Sequence, residues 1–259
     1  MDDKTTLIRR IRADEGMTLR HLRLSMLTES PNAFGVPLAM IQAMTDEQWA
    51  GSAAHLATSP NEAYYFAERD GVVCGTAECE LCPPLVLTHE QVLILARALN
   101  GTAPGSSDLI TLGVKYGGAA QQLMAVGPVN SLGLIMALSR VGLGFFDIVR
   151  VGSLAYGSAD PADTTEAADR DGLFGPQTAY ISSMWVSPEA RGCGIGAQLL
   201  SNAIAYARDN EQRSVILFVT ETQPAARSLY ERNAFTYNGH RMRLPSNPAL
   251  WLLGMSRNV

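Results

Sequence analysis

Hydrophobic and polar positions alternate along this chain in a way that predicts strands and helices in regular succession. The clearest element is a helix that begins near residue 195, where apolar residues recur at steps of three and four. They are Ile195, Leu199, Leu200, Ala203, Ile204 and Ala207. A run rich in β-branched and aromatic residues, from Tyr180 to Val186, precedes it and predicts a strand that Pro188 ends, because proline cannot donate to a sheet ladder. We therefore expect a strand, a turn and a helix between residues 180 and 210.

The same patterns predict an α/β domain on both sides of this unit. Upstream we expect a strand at residues 5–12, a helix at 17–27, a second helix from residue 45, and strands at 63–68 and 71–79. Downstream we expect a strand at 214–220, a helix at 225–232, and strands at 235–244 and 249–256. Thr45 has the side chain of an N-cap, and Asp70-Gly71 between two strand patterns predicts a tight hairpin turn.

A long segment, residues 80–177, separates the third predicted strand from the fourth. Apolar helical patterns at His89–Leu99 and within Asp108–Gly142 predict a largely helical insert. Its exit, residues 158–175, is rich in acidic residues and predicts a flexible loop. We expect one domain over residues 1–259, with the insert acting as a helical hairpin packed on the core, a dimerisation element or an active-site lid.

The insert also raises the question of a membrane span, because no charged residue lies between Lys115 and Arg140. Polar residues and helix breakers interrupt this stretch; they include Gln121, Gln122, Pro128, Asn130 and Ser131, together with several glycines. We therefore expect no membrane contact. Apolar surface that a second copy of the chain could cover favours a homodimer instead.

Composition and net charge limit the kinds of molecule that the chain can bind and the compartment that we expect. Of the 259 residues, 47% are hydrophobic, which is ample for a core, and 17% are charged. The net charge of −5 argues against nucleic acid, which requires a basic face. Four cysteines, and a charged amino terminus without an apolar signal core, predict a reducing, cytoplasmic setting.

Candidate chemistry begins with the glycine-rich turn Arg191-Gly192-Cys193-Gly194-Ile195-Gly196. Between a strand and a helix such a turn predicts an anion site, since glycines allow close backbone approach and unpaired N–H groups meet the positive end of the helix dipole. Pyrophosphate is a suitable guest. The spacing fits neither the dinucleotide fingerprint, which needs Gly-x-Gly-x-x-Gly, nor the phosphate loop, which needs Gly-Lys-Ser/Thr.

Two motifs give the chain a resemblance to a known family. The first is Arg191-x-x-Gly194-x-Gly196 after a strand that ends Val186-x-Pro188, and the second is Gln223-x-x-Ala226-x-x-x-Tyr230-x-x-x-Ala234-Phe235. In this order and register they resemble the acyl-CoA loop and the Asn-x-x-Ala-x-x-x-Tyr-x-x-x-Gly-Phe segment of the GCN5-related N-acetyltransferases (GNATs). Gln223 and Ala234 depart from the family's asparagine and glycine. Alanine is disfavoured at residue 234 if that position needs a positive φ.

The resemblance implies the GNAT acyl-CoA N-acyltransferase fold, an α+β architecture whose mixed central sheet is splayed between strands 4 and 5. It also implies acetyl-CoA as co-substrate. Backbone groups of the 191–197 loop would bind the pyrophosphate, residues 184–186 would pair with the pantetheine arm, and an N–H near Val186 would be the oxyanion donor. The implied cofactor contacts are Met184, Trp185, Val186, Arg191, Gly192, Cys193, Gly194, Ile195, Gly196, Ala197, Gln223, Ala226 and Tyr230.

The resemblance further implies that Tyr230 donates a hydrogen bond or proton to the leaving CoA sulfur. A phenol of pKa ~10 that gives its proton to a thiolate of pKa ~8.5 goes uphill by about 2 kcal/mol, so we expect a hydrogen bond and no full transfer. The attacking amine must be neutral. Glu78 and Glu80, at the end of the third predicted strand, are the candidate bases, and ordered water is the relay we expect by default, because no acid lies in the fourth strand.

Metal and hydrolase chemistry are not expected. Cys79-x-x-Cys82 has the spacing of half a zinc site, but a structural site needs four ligands, and only Cys74 and His89 lie near in sequence. The histidines are scattered, and the chain has no nucleophile elbow for a Ser-His-Asp hydrolase.

The sequence therefore predicts an enzyme that moves an acetyl group from acetyl-CoA to a primary amine of a small molecule, by direct attack through a tetrahedral intermediate. The acidic segment at 158–175 favours a cationic, polyamine-like or antibiotic-like acceptor. Two alternatives stay open. One is a protein amino terminus or lysine as acceptor, and the other is a CoA-binding or interaction module that has lost catalysis, which Gln223 and Ala234 would support.

Overall fold

The computed structural model describes residues 6–81, 177–244 and 246–259. The helical patterns, the uncharged stretch and the acidic exit predicted between residues 80 and 177 lie outside the described residues. In the described part, no helix is long and apolar enough to cross a membrane.

The amino-terminal part of the domain contains three strands and three helices among its described residues. They are β1 (Thr6–Arg10), α1 (Gly16–Glu29), α2 (Leu38–Gln42), α3 (Asp46–Thr58), β2 (Glu62–Arg69) and β3 (Val72–Leu81), with a 3-10 turn at Pro31–Ala33. α3 begins at the predicted cap: Thr45 Oγ1 accepts from Gln48 N, and Gln48 Oε1 accepts from Thr45 N. The β2–β3 turn has φ of 53° at Asp70 and 77° at Gly71, the left-handed pair of a tight hairpin. The sequence pattern did not predict α2.

The carboxy-terminal part follows the predicted order closely. It consists of β4 (Thr178–Val186), a 3-10 turn (Pro188–Ala190), α4 (Ile195–Asp209), β5 (Ser214–Thr220), α5 (Pro224–Arg232), β6 (Thr236–Leu244) and β7 (Asn247–Asn258). The six apolar residues of the α4 stripe are all buried. This confirms that the period of three and four residues identified the face that packs on the sheet.

The strands form a seven-stranded sheet in the order β1-β2-β3-β4-β5-β7-β6. β4 and β5 are parallel, and every other neighbouring pair is antiparallel. At one end of the β3–β4 pair, Leu81 lies opposite Ala179, so the chain leaves and re-enters the sheet at adjacent positions. This mixed sheet with helices confirms the predicted α+β fold class.

Among the described residues, clusters of buried side chains lie on both faces of the sheet. On one face α4 and α5 cover a cluster that includes Ile181, Leu200, Leu217 and Tyr230. On the other face α1 and α3 cover a second cluster that is made largely of aromatic and aliphatic side chains. That cluster includes Leu22, Met26, Trp49, Tyr64, Phe66 and Trp185. Successive residues of β4 therefore point to different helical layers, which brings groups from both layers to the same strand.

Candidate functional site

The sheet is open between β4 and β5. Only Thr178, Ala179 and Tyr180 of β4 pair with β5, opposite Ser214, Val215 and Ile216. Beyond Tyr180 the two strands no longer pair, although β4 continues to Val186. The β5-facing edge of β4 is therefore available to an extended ligand. This opening is the splay between strands 4 and 5 that the sequence resemblance predicts.

The backbone of Val186 faces this opening. Ser187 N donates to Cys74 O at 2.8 Å, so the pair of residues 187 and 74 is hydrogen-bonded across β3 and β4. Antiparallel pairs alternate, and Val186 lies opposite Gly75 in the next, non-hydrogen-bonded pair. The N–H of Val186 therefore points away from β3, toward the open side. By the same alternation, the backbone of Trp185 faces β3, opposite Thr76.

A bulge interrupts β4 just before this point. Between Thr76 and Glu78 of β3 the register shifts, because Ser183 and Met184 of β4 lie opposite one β3 residue. Ser183 has φ of 52°, a left-handed conformation that serine rarely adopts. Its hydroxyl accepts from Arg23 Nη1 at 2.7 Å and donates to Glu78 Oε2 at 2.8 Å. These two bonds fix the serine in its strained conformation.

The loop between β4 and α4 has the shape that an anion site needs. Gly192 and Gly194 both have φ of 77°, and Gly194 is the N-cap of α4. Gln198 N donates to Gly194 O at 3.1 Å and is thus the first helical donor of the standard pattern. The N–H groups of Ile195, Gly196 and Ala197 precede it and have no partner one turn back. They lie at the positive end of the helix dipole.

Close packing joins this loop to α5. A Cβ atom at Gly196 would meet Leu229 Cδ2 at 3.2 Å and Val186 Cγ2 at 3.9 Å. Glycine at this position lets the first turn of α4 approach both the end of β4 and the helix that carries Tyr230. The structure therefore brings together the three segments that the two sequence motifs singled out.

Arg191 is bound by protein groups. Its Nε donates to Val186 O at 3.0 Å, and its Nη2 donates to Glu29 Oε2 at 2.7 Å. The same Glu29 oxygen accepts from Trp185 Nε1 at 3.1 Å. The hydrogen bond from Arg191 holds the pKa of Glu29 at about 2, well below its ordinary value. The guanidinium of this motif arginine therefore ties the loop to the end of α1.

Cys193 is the exposed member of the three described cysteines; Cys74 and Cys79 are buried. Its Sγ accepts from Arg69 Nη1 at 3.3 Å. Burial raises the pKa of the Cys79 thiol. Among the described residues no group of His, Cys, Asp and Glu side chains could hold a metal ion. Cys82 and His89 lie outside them.

Tyr230 is buried in the cluster that α4 and α5 cover, with 6% of its surface exposed. Burial raises the pKa of its hydroxyl, so the phenol keeps its proton at neutral pH. In the described part of the chain its hydroxyl has no hydrogen-bond partner. Its ring packs on Phe235 with 6.0 Å between the ring centres. Met184 packs against the same cluster as Tyr230, so the Met184 and Tyr230 side chains lie on the same face of the sheet.

The end of α5 is a left-handed turn at Ala234. Ala234 has φ of 63°, so the position does need the left-handed conformation. Phe235 N donates to Tyr230 O and Ala234 N donates to Glu231 O, both at 3.1 Å, which is the pattern of a Schellman helix end. Ala234 is therefore strained, but the backbone still makes both hydrogen bonds of this helix end. Gln223 is the N-cap of α5 and makes no capping bond with its side chain, and Ala226 packs against the core.

Glu78 lies on the opposite face of the sheet, toward α1. Its Oε2 accepts from Ser182 Oγ at 2.9 Å and from Ser183 Oγ at 2.8 Å. Arg23 reaches the same group through Ser183, so a positive charge faces the carboxylate across one hydroxyl. Glu80, the other candidate base, is largely buried at the end of β3.

The sequence patterns did not predict three residues of this site: Arg23, Glu29 and Ser183. Arg23 and Glu29 lie on an ordinary-looking amphipathic helix, and their partners are 160 and 162 residues away in the chain. Ser183 lies within a predicted strand. Its hydrogen bonds to Arg23 and Glu78 depend on the β4 bulge, which has no signal in the local sequence.

Comparison with known proteins agrees with this geometry. The Acetyltransferase (GNAT) family model matches residues 150–235. A GCN5-related N-acetyltransferase from Kribbella flavida is 16% identical with a TM-score of 0.52, and the similarity covers 98% of each chain. An acetyltransferase of the GNAT family from Streptococcus pneumoniae is 12% identical with a TM-score of 0.52, covering 98% of this chain and 99% of that one.

The structure of yncA from Salmonella typhimurium, solved with its cofactor acetyl-CoA, is 12% identical with a TM-score of 0.51. The similarity covers 98% of this chain and 94% of yncA. At such identities the likeness establishes the fold. None of the curated proteins matches the sequence. The family match and the shared fold confirm the resemblance inferred from the two motifs.

Proposed function

We propose that this chain, which has the fold and a matching segment of the GNAT acetyltransferases, transfers an acetyl group from acetyl-CoA to a primary amine of a small molecule. The observation that carries the proposal is the open edge of β4 and the anion-binding loop that directly follows it. An extended thioester with a pyrophosphate at one end fits this succession. Tyr230 is buried in the cluster against which Met184 of β4 packs.

Cofactor binding would use backbone groups. The N–H groups of Ile195, Gly196 and Ala197 would bind the pyrophosphate, with Gly192 and Gly194 giving the loop its curvature. The pantetheine arm would lie along the β5-facing edge of β4, in the place of the missing strand partner. Gln223 at the start of α5 is the polar side chain available for the arm's amides. The Arg191 side chain would act on the shape of the loop.

Acetyl transfer needs a donor for the oxygen that becomes negative. When the amine nitrogen attacks the thioester carbon, the carbonyl oxygen takes the charge of the tetrahedral intermediate. The Val186 N–H points to the open side and would donate to this oxygen, which is worth more in a site from which water is excluded. The bulge at Ser183 sets the direction of the strand just before it.

Breakdown of the intermediate expels the CoA thiolate. The C–S bond breaks, and Tyr230 would donate a hydrogen bond to the sulfur as its charge develops. Burial raises the pKa of Tyr230 further above that of a thiol, so full proton transfer from the phenol is uphill. The ammonium of the intermediate then supplies the proton that the thiol finally carries.

Glu78 would take part in that proton transfer. Ser182 and Ser183 both donate to its Oε2, which orients the carboxylate and leaves Oε1 to accept a proton, directly or through water. Tyr230 and Glu78 lie on opposite faces of the sheet. The acceptor would therefore approach from the α1 face, while the cofactor lies along the edge and the α4 face.

Ala234 weighs against a chain that has lost catalysis. The helix end that positions Tyr230 is intact, because Ala234 adopts the conformation that glycine would have there. We therefore put catalysis ahead of a binding module. The acceptor is proposed to be a cationic small molecule on the strength of the acidic segment at 158–175.

The test begins with the melting temperature in the presence and absence of acetyl-CoA. Ligand at a hundredfold excess over Kd should stabilise the folded chain by about 2.7 kcal/mol. A panel of polyamines and aminoglycoside-like amines is then screened for release of the CoA thiol. No melting shift at millimolar acetyl-CoA would refute the proposal.

A matched pair of tyrosine variants tests the chemistry. Tyr230→Phe keeps the ring against Phe235 and should lower kcat by about tenfold to a hundredfold with little change in KM, because only the transition state loses a donor. Tyr237→Phe is the control, since Tyr237 is exposed on β6. Equal rates for the two variants would remove Tyr230 from the mechanism.

A further inference from the structure

A single carboxylate oxygen joins three elements around the proposed cofactor site. Glu29 Oε2 accepts hydrogen bonds from Arg191 Nη2, Trp185 Nε1 and Ser30 Oγ. Glu29 is the last residue of α1, Trp185 belongs to β4, and Arg191 begins the glycine-rich loop. The end of α1, strand β4 and the loop at residues 191–197, which we call the anion loop, therefore meet at one atom.

The segment that follows Glu29 is anchored at its far side as well. We call residues 30–37 the acceptor-side loop, because it follows α1 on the face where Glu78 lies. Ser246 Oγ donates to Phe34 O at 2.6 Å, and Asn247 Nδ2 donates to Asn32 Oδ1 at 3.1 Å. Phe34 and Val36 pack against the core cluster that includes Trp185. The loop is thus bound to the anion loop through Glu29 at one end and to the β6–β7 turn at the other.

Arg191 can transmit a change in the anion loop because its guanidinium is held at two points. Nε donates to Val186 O and Nη2 donates to Glu29, at 3.0 Å and 2.7 Å. The same residue supplies the backbone of the loop, next to Gly192. A pyrophosphate that orders the loop backbone would fix Arg191, and Arg191 would fix Glu29. The N–H donors of a guanidinium point in fixed directions in one plane, so these two bonds fix the orientation of the Arg191 side chain between Val186 and Glu29.

We propose that Glu29 is a positioning residue that couples the anion loop to the acceptor-side loop, so that binding of acetyl-CoA orders the wall of the acceptor site. The inference rests on the proposed function. It also gives the motif arginine a role other than contact with phosphate. Because coupling between two sites is reciprocal, an acceptor that orders residues 30–37 would raise the affinity for acetyl-CoA by the same factor.

Hydrogen–deuterium exchange of the full chain, with and without saturating CoA, tests the coupling directly. In the wild type, CoA should slow exchange in peptides that cover residues 187–198 and also in those that cover residues 30–37. In Glu29→Ala, saturating CoA should still slow exchange at 187–198, but the slowing at 30–37 should fall below half of the wild-type effect. Glu29→Gln keeps an acceptor oxygen for Arg191 and should lie between the two.

Glu189→Gln is the matched control. Glu189 is exposed in the 3-10 turn beside the same loop, and its substitution removes the same charge without touching the tie to α1. It should behave as the wild type. A general loosening of the fold would change exchange at 30–37 equally with and without CoA, so the CoA-dependent part isolates coupling from stability.

Affinity gives a second measurement. Glu29→Ala and Arg191→Ala should each weaken CoA binding by about fivefold, and the double variant by no more than about fivefold, because both remove one shared interaction. Additive losses would overturn the inference. Unchanged CoA-dependent slowing at 30–37 in Glu29→Ala would also overturn it, as would a wild type in which CoA slows exchange at 187–198 alone. A wild type in which CoA slows neither peptide would overturn the proposed function together with the coupling.

Discussion

Replacing Ala234 with glycine should stabilise the protein. Ala234 follows the C-cap of α5 and has φ of 63°, where an L-residue costs roughly 1–2 kcal/mol and glycine does not. The alanine side chain is exposed, so its removal gives up little buried surface. The hydrogen bonds from Ala234 N and Phe235 N are made by the backbone and would be kept.

The larger backbone entropy of glycine in the unfolded chain opposes this gain by about 0.5–1 kcal/mol. The net stabilisation should therefore be about 0.5–1 kcal/mol, which corresponds to roughly 1–4 °C in Tm for a chain of this size. The same reasoning applies to Glu211, which is exposed after the C-cap of α4 with φ of 58°. Its helix end has the same pair of bonds, Gln212 N to Ala207 O and Glu211 N to Arg208 O, both at 3.0 Å.

Thermal melts of Ala234→Gly, Glu211→Gly and Ala54→Gly against the wild type provide the measurement. Ala54 is exposed in the interior of α3, where glycine should destabilise by about 1 kcal/mol. The two helix-end variants should melt above the wild type and the helix-interior variant below it. If Ala234→Gly melts at or below the wild type while Ala54→Gly falls as expected, the backbone strain assigned to residue 234 is wrong.

Three further predictions concern the anion loop. Because the folded-state pKa of Glu29 is lowered to about 2, its stabilisation is complete above the unfolded pKa of about 4.5 and is lost as pH falls toward 2. Glu29→Gln should thus cost about 1 kcal/mol at pH 6 after allowance for solvent screening, and a destabilisation of the same size at pH 2.5, measured by urea unfolding, would contradict this. Iodoacetamide should label Cys193 before Cys74 and Cys79, and acetyl-CoA should slow the labelling; equal labelling with and without acetyl-CoA in peptide mass spectra would place the cofactor elsewhere. Gly194→Ala, at φ of 77°, should weaken acetyl-CoA binding about tenfold or more in calorimetric titrations. Gly196→Ala should be milder, because the added Cβ crowds the flexible end of Leu229 at 3.2 Å and makes an ordinary contact with Val186 Cγ2 at 3.9 Å.

Local sequence patterns predicted the elements that have a strong apolar pattern or a clear cap. The α4 stripe, the continuously apolar β5 and the capped start of α3 all appear where the sequence places them. In each case the signal is local, because a stripe or a cap lies within a few residues. α2 was missed because five residues at 38–42 hold too little periodicity to be read as a helix.

The contacts that define the site could not be predicted in the same way. The Ser183 bulge depends on the register between β3 and β4, and the Glu29 tie joins residues far apart in the chain. The sequence shows that Ala234 stands where the GNAT motif has glycine. Only the structure shows that the residue accepts the strained conformation and that the chain keeps its path around Tyr230.

The adjacency of Leu81 and Ala179 also bears on how such a chain can change in length. The two residues face each other across β3 and β4, at the roughly 5 Å spacing of an antiparallel pair. For a flexible connection the entropy of closure grows by only about 0.6 kcal/mol for each doubling of its length. The sheet can therefore accept a tight turn or a long excursion at this point with no shift of register.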